Sequence, residues 1–258
     1  MMKKIFNLLT VLSFTIAAFA QEATTSVKTD TAKAQPEVVN VQPVAVSVQL
    51  ETVIADTAKA DTSKNGVIIN GVIWAKSNVD EPGKFAINPE DQGMFYQWNR
   101  YVGWCGVDPL INSNDDDRWD SIIPIGFNWE KDNDPSPKGW RIPTFDEIDK
   151  LLDTDIVDRI WITENGVSGT RFTDKTTNNS IFLPAAGYRN VNDGSLNDVG
   201  IGGNYWSSTQ NDSSTAYSLF IYTLSAGRFA SGSGYGFSIR CVSEEGLEIP
   251  EEEIPMVD

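Results

Sequence analysis

Two apolar triplets, Val67-Ile68-Ile69 and Val72-Ile73-Trp74, stand on either side of Asn70-Gly71. Asn and Gly both tolerate the positive φ that a type I′ turn requires, so this pattern predicts a β-hairpin opening a folded domain. Asn165-Gly166 and Asp193-Gly194 are turn signals of the same kind. Later apolar runs are short: Ile181-Phe182-Leu183, residues 217–222 and residues 237–242, separated by Gly, Asn, Ser and Asp. They predict antiparallel sheet with long polar loops, one of them spanning 190–204.

Helical spacing is rare. Phe145, Ile148, Leu151 and Leu152 fall on one face after Pro143, with Thr144 placed to cap and Glu147 three residues on as the partner of a capping box. The carboxylates of Asp146, Glu147 and Asp149 then read as a cap and a solvated face rather than a catalytic pair. Residues 89–98 are the other candidate for a short helix. The expected class is therefore α+β, mostly antiparallel sheet with one or two short helices.

Aromatic residues mark the domain edges. All eight Trp lie between Trp74 and Trp206, and neither 21–65 nor 244–258 contains Phe, Trp or Tyr. A core is expected only over 66–243, a length suited to one compact domain. Residues 21–65 are rich in Thr, Ala, Val, Lys and Asp and repeat Asp-Thr-Ala-Lys-Ala at 30–34 and 56–60. That composition buries too little apolar surface to offset ordering entropy, so a disordered linker is expected, with an apolar stretch at 38–54 as a candidate strand or docking segment. The acidic tail, 244–258, is expected to be disordered as well.

Residues 1–20 combine Lys3 and Lys4, an apolar stretch and Ala18-Phe19-Ala20. This is the pattern of a cleaved secretory signal peptide, and it predicts a product in the periplasm, at the cell surface or outside the cell. No other stretch approaches the length of a transmembrane helix. The formal charge of -16, from 36 acidic and 20 basic residues, disfavours nucleic acid and anionic lipid as partners.

Chemistry is sparse. With no histidine in the chain, serine and cysteine nucleophiles lack their usual base and zinc its usual nitrogen ligand, so no catalytic residues are assigned. Carboxylate-pair hydrolysis stays formally open, but no spacing singles out a pair. Asp115, Asp116 and Asp117 follow Asn112-Ser113-Asn114, and Asp193 and Asp198 lie in a second oxygen-rich stretch. Calcium takes about six to eight such oxygens, and a solvated acidic loop is the other reading of both. The ligand-binding candidates are Tyr188, Arg189, Asn204, Trp206, Asn211, Asp212 and Tyr235, where aromatic rings alternate with small polar groups. Trp206 also reads as a core residue, and Arg141, Arg189 and Arg240 as internal clamps.

Six motifs follow in order: Asn70-Gly71-Val72-Ile73-Trp74-Ala75, Met94-Phe95-Tyr96-Gln97-Trp98, Gly139-Trp140-Arg141-Ile142-Pro143-Thr144, Leu183-Pro184-Ala185-Ala186-Gly187-Tyr188-Arg189, Tyr205-Trp206-Ser207-Ser208-Thr209 and Gly236-Phe237-Ser238-Ile239-Arg240-Cys241-Val242. In this the chain resembles the Fibrobacter succinogenes major paralogous domain family. The resemblance implies a C-type lectin-like fold and a secreted or surface domain from a Bacteroidetes-like bacterium. Many members carry a cysteine just after the first Trp-Ala pair, where this chain has Lys76-Ser77. Its two cysteines, Cys105 and Cys241, form a candidate disulfide worth about 4 kcal/mol in an oxidising compartment; the alternative is two buried thiols. Three functions compete: a non-catalytic module binding a glycan or protein ligand, a structural part of an envelope or adhesion assembly, and a carboxylate-pair carbohydrate-active enzyme.

Overall fold

The computed structural model describes residues 65–122 and 128–245. The expected signal peptide, nearly all of the linker and most of the acidic tail lie outside the described residues. In chain order the strands are β1 (Gly66–Ile69), β2 (Val72–Ala75), β3 (Phe95–Gln97), β4 (Gly103–Trp104) and β5 (Trp140–Arg141). Helix α1 (Phe145–Leu152) follows, then β6 (Val157–Glu164), β7 (Val167–Asp174), β8 (Ser180–Pro184), β9 (Tyr188–Arg189) and β10 (Leu196–Asn197). The last are β11 (Gly202–Gln210), β12 (Thr215–Tyr222), β13 (Ser225–Gly232), β14 (Gly236–Phe237) and β15 (Val242–Ser243). They make four sheets, ordered β1-β2-β15-β5, β10-β9-β14-β3-β4, β11-β12-β13 and β6-β7-β8. The domain is α+β and predominantly β, its named strand pairs all antiparallel and α1 its one α-helix among the described residues.

Local chemistry explains the turns and the helix. Asn70 and Gly71 hold φ of 45° and 72° between β1 and β2, and Asn165 and Gly166 hold 48° and 87° between β6 and β7, the left-handed pairs that match hairpin twist. The Thr144 hydroxyl accepts from the Glu147 N–H, and the Glu147 carboxylate accepts from the Thr144 N–H at 2.8 Å. Both halves of the capping box are therefore made. Ile148 and Leu151 are buried, while half-buried Phe145 lies 4.3 Å from the Tyr217 ring and 4.8 Å from the Arg228 guanidinium.

Two cores result from strand alternation. In β11, Tyr205 packs into a core with Trp74, Ile148, Phe172, Leu219 and Val242, while its neighbour Trp206 packs into another with Tyr96, Trp98, Phe237 and Ile239. Successive residues of a strand point to opposite faces, so one strand serves both cores.

Three expectations are corrected. Residues 89–98 are not a helix: β3 is an interior strand of the five-stranded sheet, between β14 and β4, with Phe95, Tyr96 and Trp98 at most 1% exposed. A run of large residues that must all be buried suits a central strand covered on both faces, not a helix with one wet face. The apolar run 237–242 is not one strand, since β14 and β15 belong to different sheets. Between them the chain crosses from one sheet to the other, Ser238 N–H donating to Asn204 O and Ile239 O accepting from Val79 N–H. Residues 190–204 are not a single loop, because β10 and the start of β11 fall within them.

Candidate functional site

Alternation along β12 turns Leu219 and Ile221 into the core and leaves Ser218, Phe220 and Tyr222 on the other face of the sheet. Register then sets their neighbours. Tyr222 stands opposite Gly202, Phe220 lies between Asn204 and Gly227, and Ser218 is paired with Phe229. A Cβ at Gly202 would come within 2.3 Å of the Tyr222 ring, and one at Gly227 within 2.8 Å of the Phe220 ring. Each ring therefore lies flat across the strand beside it, in the space a side chain would fill. Phe229 is 65% exposed at the edge.

This aromatic face meets the five-stranded sheet at a seam. The Gly187 N–H donates to Gly202 O at 2.8 Å, setting β9 beside the start of β11. Half-buried Tyr188 follows Gly187, its ring 5.8 Å from Tyr235 and 6.2 Å from Phe237, and Tyr235 stacks on Phe237 at 5.7 Å. Across the seam the Tyr222 hydroxyl donates to Asp198 Oδ2 at 2.8 Å. Burial, and then the bond to Asp198, push the Tyr222 hydroxyl up to about 12. Burial also raises Tyr188, with Asp198 and Tyr235 adding to it. The seam thus carries ring faces bordered by a carboxylate, an amide at Asn204 and phenolic hydroxyls.

The structure divides the sequence candidates. Tyr188, Asn204 and Tyr235 gather at the seam, and Asp198, expected as a metal ligand, joins them through Tyr222. Trp206 is fully buried, donating to Tyr96 O at 2.6 Å with its ring 4.3 Å from Phe237; it packs the core. Arg189 is 1% exposed and holds the carbonyls of Cys105, Val107 and Gly194 with the carboxylate of Asp108. It is an internal clamp, as Arg240 is. Asn211 and Asp212 lie in the turn before β12, at its far end from Tyr222, where Asp212 Oδ1 accepts from the Ser214 and Thr215 N–H groups. Sequence reading missed Phe220, Tyr222 and Phe229. Their signal was the i, i+2 spacing of Phe220 and Tyr222, legible as a face only once the opposing glycines are in register.

The model of the Fibrobacter succinogenes major domain matches residues 67–243. The chain belongs to that family. Comparison with curated proteins finds no match, and comparison with solved structures finds none either.

In this Fibrobacter succinogenes major domain several oxygens of the oxygen-rich loops are bonded within their own loops. Asp116 grips Arg118 through both oxygens, at 3.1 and 2.9 Å, and this partner holds its carboxyl down to about 2. Asn112 Oδ1 accepts from the Asn114 and Asp116 N–H groups, and Asp193 Oδ1 from that of Ser195. Among the described residues no three His, Cys, Asp or Glu are grouped to hold a metal ion. Of the carboxylates read as possible calcium ligands, Asp116 and Asp193 are engaged within their own loops and Asp198 is engaged by Tyr222. Cys105 and Cys241 are both free: Cys105 Sγ donates to Val107 O at 2.9 Å, and buried Cys241 Sγ donates to Ser136 Oγ at 3.1 Å. Each cysteine lies just outside a strand, Cys105 after β4 and Cys241 before β15, and each thiol is held against its own partner.

Proposed function

We propose that this domain is a non-catalytic recognition module of a secreted or cell-surface protein, and that it binds a glycan at the seam of Tyr188, Phe220, Tyr222 and Tyr235. The observation that carries this reading is the placement of two rings flat over Gly202 and Gly227, beside Asn204 and Asp198. Sugars present an apolar C–H face and a rim of hydroxyls. An aromatic face attracts the first, and neighbouring amide, carboxylate and phenol groups bond the second.

The C-type lectin-like fold belongs to the same proposal. It is supported by the pairing of β15 with β2, which brings the two ends of the domain together. The non-catalytic reading is supported by the lack of histidine and by the deep burial of Cys241.

A glycan array probed with the chain, with and without chelator, tests the proposal. Binding is expected, insensitive to chelator, and weakened about five- to tenfold by Tyr188→Ala or Tyr222→Ala, the loss of one stacked ring. Silence across the array, or variants that bind as well as the parent, would overturn it.

A further inference from the structure

A cleft of about 600 Å³ is lined by none of the aromatic seam's residues. Its floor is the Pro184-Ala185-Ala186 link between β8 and β9, and its walls are the 86–93 segment and the turns at Gly166 and Gly200. Asp80, Glu90 and Asp91 line it, and no Lys or Arg does. Ile87, 92% exposed, and Val199, 50% exposed, add a strongly apolar edge. A cleft that unites three carboxylates, with no Lys or Arg in its lining, and two uncovered aliphatic side chains matches a cation carried on an apolar stem.

We propose that this cleft binds a basic peptide segment, seating an Arg or Lys side chain among Asp80, Glu90 and Asp91 and an aliphatic neighbour against Ile87 and Val199. Charge complementarity argues for this occupant over an uncharged one. Glu90 accepts from Asn165 Nδ2 at 2.6 Å, and Asp91 from the backbone and side chain of Asn88 at 2.9 and 3.1 Å. Those bonds fix the two carboxylates without neutralising them. The Asp80 carboxylate accepts no hydrogen bond from the described residues; burial, then Glu81 and Asp91, hold its pKa above the ordinary value, with Lys84 opposing. A guanidinium or ammonium group entering the cleft relieves that repulsion and satisfies Asp80. Its methylene stem and an adjacent Leu or Ile cover Ile87 and Val199.

The inference is independent of the glycan proposal. Val199 and Gly200 follow Asp198 directly, so the tests spare Asp198 and keep the two surfaces separable.

The probe is acetyl-Leu-Arg-Leu-amide titrated into the ¹⁵N-labelled chain, against the same peptide carrying citrulline, the neutral isostere of arginine. The arginine peptide is expected to shift the amides of Gly93, Gly166 and Gly200 and to bind at least about fivefold more tightly at low salt, an advantage that shrinks as salt rises. Asp80→Asn and Glu90→Gln are each expected to weaken it about threefold. Ile87→Lys, at a residue too exposed to matter for folding, is expected to remove the charge-dependent advantage. Equal binding of the two peptides, shifts confined to another face, or calcium chloride alone reproducing the shifts while the peptide causes none would each overturn the proposal.

Discussion

The Tyr222 hydroxyl donates a 2.8 Å hydrogen bond to Asp198 Oδ2, joining the last residue of β12 to the turn after β10. It ties the three-stranded sheet to the five-stranded one at the edge of the aromatic seam. Asp198 sits there at a φ of 58°, a left-handed conformation that Asp tolerates better than most residues.

Because the ionised Asp198 opposes a second negative charge on Tyr222, Asp198→Asn is expected to lower the Tyr222 midpoint from about 12. It should stay above 10.0, because burial is the larger cause and remains. Ultraviolet titration of the variant, with Tyr222→Phe as the blank, measures this. A midpoint that does not move would show the bond to be absent in solution.

Gly202→Ala places a methyl group 2.3 Å from the Tyr222 ring and must displace it. Glycan binding is expected to fall as far as in Tyr222→Ala, with stability lowered by about 1–3 kcal/mol. Unchanged binding would show that the ring need not lie flat to serve.

Arg240 is 1% exposed and reaches no carboxylate among the described residues; its guanidinium serves Asn78 Oδ1 at 2.9 Å, Phe182 O at 3.0 Å and the carbonyls of Ala75, Lys76 and Pro89. Burial lowers its pKa to about 10. Arg240→Met strands those acceptors, each unsatisfied group costing about 1–3 kcal/mol, so a loss of at least about 3 kcal/mol is expected. At about 2–4 °C per kcal/mol for a domain of this size, Tm drops by roughly 10 °C. Arg240→Lys should recover little, having no fork to span the set.

The helix start has its own pH signature. Burial works to raise the Glu147 carboxyl, but the two-pronged bond from Arg141, at 2.6 and 2.8 Å, and the Thr144 N–H outweigh it and leave the group below its ordinary 4.5. A depressed folded pKa contributes stability above 4.5 and loses it as pH falls through the folded value. The Tm gap between the parent and Glu147→Gln should therefore be full at neutral pH and close in acid. Thr144→Ala should cost about 1 kcal/mol at neutral pH and less in acid, because the Thr144 hydroxyl donates to the same carboxylate at 3.0 Å.

Thiol titration distinguishes the cysteines. Cys241 is fully buried, and burial pushes its thiol far up, while Cys105 is half-buried. Without reductant, one thiol is expected to react with a disulfide reagent in the native protein and two after unfolding. No reaction in either state would show that the bridge forms after all.

Much of this domain was legible along the chain because it rests on neighbours in sequence. The Asn70-Gly71 and Asn165-Gly166 hairpins follow from backbone φ preferences within two residues. The α1 cap follows from groups three apart, and the family from motifs kept in order over 67–243. The charge and the lack of histidine are properties of composition.

Tertiary structure alone decided which aromatics are buried and which form a surface. Trp206 and Tyr235 look alike in sequence, yet one lies against Tyr96 and Phe237 in a core and the other stacks at a seam. Whether a ring meets another side chain or open water depends on the register of β11 against β12 and on Gly202 and Gly227 standing opposite Tyr222 and Phe220. The same holds for the cleft, whose walls are drawn from 80–93, 166–168, 184–186 and 199–200. Local preference acts over a few residues and can be read from them; a surface made by segments far apart in the chain exists only after packing has brought them together.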